Sequence, residues 1–387
     1  MTLARHSPHD REIVRLAVPA LGALIAEPLY LLADTAIVGR LGTRPLAGLA
    51  VAGAVLSAAF TVFNFLAYST TASVARQIGA RNRRRAAELG ADGLWLAVGL
   101  GLVLTALGLV LAPEIADAMG ASAAVHPFAV TYLRISILGA PFLLLTLAGA
   151  GYLRGVQDTR TTLVIAVAAN GINLLLELLF VYTFDLGIAG SAWGTVIAQV
   201  LAAVAYLAVV GRAARRDDAS LRPRWRGIRS NAVIGSRLIV RTAALLVTLL
   251  TATAIAARFG DDDVAAQQIA MQVLLLLALA LDALAIAAQA MIGRSLGADE
   301  GEEARVVAGR ILAWGVVCGI VLAVVVVLTR SWLATLFTDD PQVRALAEQL
   351  LWFVAALQPA AAVVFVLDGV LIGAGDVGYL AIAMLVA

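Results

Sequence analysis

Five carboxylates lie inside apolar runs of this 387-residue chain: Glu27, Asp34, Glu177, Asp282 and Asp368. A carboxylate at the middle of a membrane helix costs roughly 2.5–3.5 kcal/mol on insertion scales, so an acid kept there is first weighed as an ion or proton site. Asp34 sits in LLADTAIVGRLGT (31–43), close to the end of a hydrophobic run. Asn170, Asn173 and Glu177 are spaced i, i+3, i+7, which puts all three on one helix face. An amide beside a carboxylate both donates and accepts in a dry bundle. Glu27 lies two turns before Asp34 on the same face, with Tyr30 between them, and Thr195 lies in a later apolar run. Ser57, Thr61, Asn64 and Tyr68 form a further polar stripe, which faces either a cavity or a neighbouring helix as plain interhelical glue. Asp368 is near a helix end and can reach the interface, while Asp282 has no evident local partner. The histidines (His6, His9, His126) sit in a terminus and a loop and form no metal-ligand cluster. The single cysteine, Cys318, excludes an internal disulfide.

The elements that carry these residues follow from composition. The chain is 61% hydrophobic and 14% charged, with a mean hydropathy of +0.93. Soluble domains are roughly 45–50% apolar and about 25% charged. The pattern is that of an all-α polytopic membrane protein, since each span needs about 20 apolar residues. The sequence predicts helices at 13–38, 46–75, 88–112, 127–152, 161–183, 187–210, 236–259, 263–293, 305–328 and 342–372, with an eleventh starting near 379. The first run is too long for the apolar region of a signal peptide. Apart from histidine, every basic residue is arginine. Nineteen arginines, beginning with Arg5, Arg11 and Arg15, fall on the N-terminal side of the predicted membrane, against five on the other. That bias predicts a multi-pass protein of the inner (plasma) membrane with a cytoplasmic N-terminus. It also explains RQIGARNRRR (76–85) and the basic 211–230 loop without nucleic acid, because neither carries a reader's aromatics.

The chain also resembles itself at an offset of 218 residues. TAIVGRLG (35–42) lies over TAIAARFG (253–260), RQIGARNRRRA (76–86) over RSLGADEGEEA (294–304), Pro141 over Pro359, and GYLRGVQD (151–158) over GVLIGAGD (369–376). One ungapped register through four blocks implies two repeats of six helices each. An even helix number makes the repeats parallel, related by an axis along the membrane normal. The expected organisation is a six-helix lobe at 1–212, an inter-lobe loop at 213–235 and a second lobe at 236–387. By the same register helices eleven and twelve would extend past about residue 428, so the sequence reads as truncated within helix eleven.

The repeat separates the acids. Asp34 maps to Ala252, so the second repeat lacks its counterpart. Asp34 and Glu177 both lie roughly 7–9 Å below the outer helix ends, at about 1.5 Å per residue. Two acids at one depth in one lobe can share a site. Pro19 and Pro28 each remove a backbone hydrogen bond from the helix that carries Asp34, which makes it the element most able to bend.

EPLYLLADTAIVGRLGTRPLAGLAVA (27–52), RQIGARN (76–82), NGINLLLELLFVY (170–182) and GIAGSAWGTVIAQ (187–199) resemble the multidrug and toxic compound extrusion (MATE) family, most closely its DinF-type branch. The resemblance implies a twelve-helix fold of two lobes around a central cavity. It implies antiport: export of organic, often cationic or amphipathic compounds in exchange for protons or sodium, with no cofactor and no catalytic residues. It places the cation or proton site, including any sodium, at Asp34, Asn173, Glu177 and Thr195, with helix bending at Pro19. Glu27, Tyr30, Asn64, Tyr68 and Asn170 are the accompanying cavity residues. Glutamate at 177 departs from the family's usual aspartate, and its extra methylene changes the geometry offered to sodium. The expected partners are small-molecule substrates and membrane lipid, not nucleic acid, and the expected state is a monomer. Two rivals stand beside this reading. A lipid-linked precursor flippase of the same superfamily would want a positive cavity, and Arg134 is the main arginine inside a helix here. A membrane enzyme such as a prenyltransferase would need paired acidic motifs, whereas Asp261, Asp262 and Asp263 stand alone and read as a solvated helix cap.

Overall fold

The computed structural model describes residues 7–386, so Arg5 and His6 lie outside the described residues. Helices make up nearly all of them: α1 (Pro8–Gly39), α2 (Thr43–Val62), α3 (Phe65–Gly79), α4 (Arg83–Ala118), α5 (His126–Ser136), α6 (Ala140–Gly155), α7 (Thr159–Leu178), α8 (Gly187–Arg216), α9 (Trp225–Ala256), α10 (Asp261–Gly297), α11 (Gly301–Phe337), α12 (Pro341–Ala374) and α13 (Val377–Val386). Ten helical stretches are long and apolar enough to span a membrane, matching the ten complete apolar runs of the sequence. This is a multi-pass membrane protein.

Three expected helices are interrupted, each for a local reason. Between α2 and α3 the chain turns at Phe63 and Asn64, just after Thr61 spends its hydroxyl on the Ser57 carbonyl at 2.7 Å. Back-bonding of this kind bends helices. Between α5 and α6 a short 3₁₀ turn, Ile137–Gly139, precedes Pro141. Pro141 has no N–H to give the Ile137 carbonyl one turn back, and that carbonyl accepts instead from the Ala140 N–H and from Thr105 Oγ1 at 2.9 Å. After α7 the backbone widens into a π segment, Leu179–Thr183, closed by Phe184 N–H on the Leu179 carbonyl at 3.0 Å. Such wide turns concentrate at functional sites. Asp158 and Asp340 cap α7 and α12 with their side chains. The run at 261–263 forms the first turn of α10, where acids complement the helix dipole, and Gly260 takes the cap position.

The 218-residue repeat is written into the packing. A Cβ on Gly101 would lie 2.3 Å from Pro141 Cα, and one on Gly319 would lie 2.8 Å from Pro359 Cα. Gly151 is pressed against the Ala67 carbonyl as Gly369 is against that of Ala285. Gly155 meets the Thr71 carbonyl, and Gly373 that of Gln289. Every partner keeps the same register. The glycines and prolines shared at these positions across the repeat therefore mark places where helices come too close for a side chain. Close helix approach through small residues is how membrane bundles gain dispersion without a hydrophobic driving force.

Contacts group the chain into two compact units. One comprises the chain through Leu21 together with the chain from Val240 onward, and the other is Gly22–Ile239. Both divisions fall inside long helices, α1 and α9, rather than in loops. They also obey the repeat, because residue 21 maps to residue 239. The α1 division follows Pro19 by two residues, although α1 is continuous from Pro8 to Gly39.

Filling the helix contacts should destabilise the fold. Gly151→Ala or Gly369→Ala is expected to cost about 1–3 kcal/mol through overpacking. Gly53→Ala, whose Cβ meets nothing within 4 Å, is expected to be neutral or slightly stabilising. Thermal unfolding in detergent checks this, with lowered melting temperatures for the first two only.

Candidate ion-binding site

The unit Gly22–Ile239 gathers two buried carboxyls. Asp34 on α1 is 2% exposed and Glu177 on α7 is fully buried, and the two carboxyl groups meet. Their elements explain the meeting. α8 opens with GIAGSAWGT, whose Gly190 and Gly194 let it lie directly on α7 and the π segment. A Cβ on Gly194 would sit 3.2 Å from Glu177 N and 3.3 Å from Asn173 Oδ1, and one on Gly190 would sit 2.9 Å from the Phe180 carbonyl carbon. Within the π segment, Tyr182 donates to the Ile37 carbonyl at 3.1 Å and ties the end of α7 to the C-terminal end of α1. The stripe on α7 is thus held between α1 and α8.

Polar contacts spread outward from the acids. Ser191 Oγ donates to Asp34 Oδ1 at 2.6 Å, the shortest bond in the cluster. Tyr30 and Thr195 share a hydroxyl hydrogen bond of 2.7 Å. Asn173 Nδ2 reaches Thr195 Oγ1 at 3.5 Å, and Thr195 donates to the Ser191 carbonyl at 3.2 Å. Tyr132, on α5, borders both carboxyls. Both Glu177 oxygens and Asn173 Oδ1 are buried with no donor among the described residues. A buried acceptor left without a partner costs about 1–3 kcal/mol, and more when charged. Three such oxygens beside a second carboxylate form a receptacle for positive charge. A proton on one carboxyl supplies the missing donor between the acids. A small hard cation would draw on the same oxygens, the donor type that such ions require.

The structure places four of the expected residues, Asp34, Asn173, Glu177 and Thr195, in this cluster, together with Tyr30. Asn64, Tyr68 and Asn170 are half-buried and Glu27 is exposed, so none of them is sealed in as the two acids are. Pro19 belongs to the other compact unit. Asp368 has a different setting. It lies in the unit that runs from Val240 onward, as the partner of Arg241, which grips both its oxygens at 2.7 and 2.8 Å. Sequence reasoning missed Arg241, 127 positions away, and it missed Ser191. The signal for Ser191 was present, since it stands one turn before Thr195 on the glycine-bearing face of α8.

The chain is similar to known proteins over nearly all its length. It is 34% identical to Protein DETOXIFICATION 44, chloroplastic, of Arabidopsis thaliana, over 97% of this chain and 74% of that protein. It is 30% identical to DNA damage-inducible protein F of Escherichia coli (strain K12), over 94% of this chain and 81% of that one. A crystal structure of MATE in the bent conformation superposes with a TM-score of 0.90 at 22% identity, covering 98% of this chain and 85% of that one, which shows the shared fold. The MatE family model matches residues 19–179 and 238–387, one match in each repeat. The chain belongs to the MatE family, whose members are transporters and not enzymes.

Proposed function

We propose that this protein is a secondary antiporter that exports organic, cationic or amphipathic compounds in exchange for protons or sodium. The observation that carries the reading is the Asp34–Glu177 contact in a buried site where Glu177 has no donor. Two carboxylates in one dry site cannot both stay ionised without a counter-charge. The site therefore holds a proton or a cation in one state and gives it up in another, which coupling requires. A charge that is never exchanged would be better served by a permanent partner, such as the one Arg241 provides for Asp368. The names of the relatives point the same way: one is called a probable multidrug resistance protein, NorM, of Thermotoga maritima.

The proposed cycle has few parts. The coupling ion enters from the outer side and neutralises the Asp34–Glu177 pair. Ser191 holds Asp34 in place by its short hydrogen bond while the charge changes. With the site neutral, α1 bends where its prolines interrupt the hydrogen-bond ladder, the substrate leaves outward, and the ion is later discharged inward. The pair titrates as a unit, so pH dependence belongs to both acids together.

The test is transport of the dye ethidium by the full chain in proteoliposomes, with proton and sodium gradients imposed separately. Asp34→Asn and Glu177→Gln are each expected to lower gradient-driven transport at least about tenfold, the equivalent of about 1.4 kcal/mol, while the protein stays folded in the membrane. Full gradient-driven transport by Asp34→Asn sinks the assignment. Ser191→Ala is expected to keep transport but shift its pH profile, since Asp34 loses its donor.

A further inference from the structure

The two long helices that begin the repeats each carry an aspartate–arginine cluster at or just before the N-terminal end, which on the predicted orientation is the inner end; α1 adds the pairs Glu12–Arg294 at 3.1 Å and His9–Glu303 at 3.2 Å. In the first unit, Asp10 on α1 takes Arg310 Nε on Oδ1 and Arg310 Nη2 on Oδ2, both at 2.7 Å, and Trp314 Nε1 on Oδ1 at 2.8 Å. One turn on, Ile13, Leu16 and Ala17 are buried against Leu284, Met291 and Ile311. In the second unit, Asp92 on α4 is fully buried and accepts from Arg224, just ahead of α9, through the backbone N–H at 3.2 Å and Nη2 at 2.7 Å. Glu88 takes the other guanidinium nitrogen of Arg224. Gly227 is required there, because a Cβ would fall 1.9 Å from Asp92 Oδ2.

The repeat register relates the two clusters. Asp92 and Arg310 are 218 positions apart, and each is the tenth residue of its helix, α4 or α11. One structural position therefore grips the inner end of a repeat's first helix in both units, with the charges exchanged. An acid on α1 meets a base on α11, and a base before α9 meets an acid on α4. Opposite polarity forbids cross-pairing, since Asp10 would repel Asp92 and Arg224 would repel Arg310. Both gripped segments precede the points, at 21/22 and 239/240, where α1 and α9 pass from one unit to the other.

We propose that Asp10–Arg310 and Arg224–Asp92 are positioning residues for transport. They form two latches of inverted polarity that seat the inner halves of α1 and α9 in one state, and they open when the transporter changes access. Ion pairs in this role fix which elements associate, more than they add stability. The requirement that the latches open rests on the transport reading; the seating of the helices does not.

Two measurements on the full chain, with Cys318 replaced by alanine, test it. First, the Asp10→Cys/Arg310→Cys pair is tethered by a reducible bifunctional thiol reagent. Ethidium transport in proteoliposomes is expected to fall to background and to return on reduction, whereas undiminished transport by the tethered protein overturns the proposal. Second, hydrogen exchange is followed over residues 11–21 in detergent. Arg310→Asp is expected to speed exchange at least tenfold, and the swap Asp10→Arg/Arg310→Asp to restore protection. Equal protection in wild type, single variant and swap overturns the latch. If the wild type moves no ethidium, the exporter reading fails, and the exchange measurement still decides the latch.

Discussion

Two carboxyl groups that touch inside a dry helical bundle impose a condition that the surrounding helices must meet. Asp34 and Glu177 are both buried; among the described residues Ser191 donates to the first, and both oxygens of the second lack a hydrogen-bond partner. Everything near them serves the approach. The glycines of α8 remove side chains that would hold α7 away, and Tyr182, in the π segment, fastens the end of α7 to the C-terminal end of α1. The arrangement is costly unless a positive charge occupies it, and the proposed exchange of a proton or sodium draws on that cost. Arg241 and Asp368 show the alternative in the same chain, a buried acid with a permanent partner that asks for nothing more.

Around this point the fold repeats itself without repeating the chemistry. The backbone contacts at Gly101, Gly151 and Gly155 recur at Gly319, Gly369 and Gly373, so both units pack by one rule. Asp34 has only Ala252 opposite it in the register, and Asp92 has Arg310. The shared frame is therefore carried by small residues whose replacement is sterically forbidden. Charges diverge across the register: at Asp34, at Asp92 and Arg310, and in the 76–86 stretch, where Arg81, Arg84 and Arg85 lie over Asp299, Glu302 and Glu303.

Much of this was legible in the sequence, for physical reasons. Apolar run length fixes membrane spans, so all ten were found, though some ends extended by several residues where arginines continued a helix past the apolar stretch, as at Arg83 in α4 and Arg226 in α9. The breaks within spans were not seen. The Ile137 carbonyl ahead of Pro141 shows its role only once Thr105, its neighbour across the bundle, is known. The helical face Asn170–Asn173–Glu177 and the shared depth with Asp34 brought the acids together on local geometry alone. Arg241 and the partners of Asp10 and Asp92 lay beyond reach, because each contact spans more than 120 residues and periodicity carries no information about it.

The measurement closest to the central claim is ion release on substrate binding. Purified full-length protein in weakly buffered detergent is mixed with ethidium while a pH indicator and a sodium-selective electrode follow the solution. If Asp34 and Glu177 form the exchange site, wild type releases protons or sodium as ethidium binds, and Asp34→Asn binds ethidium with the release abolished. Release from Asp34→Asn equal to that of the wild type would contradict the account.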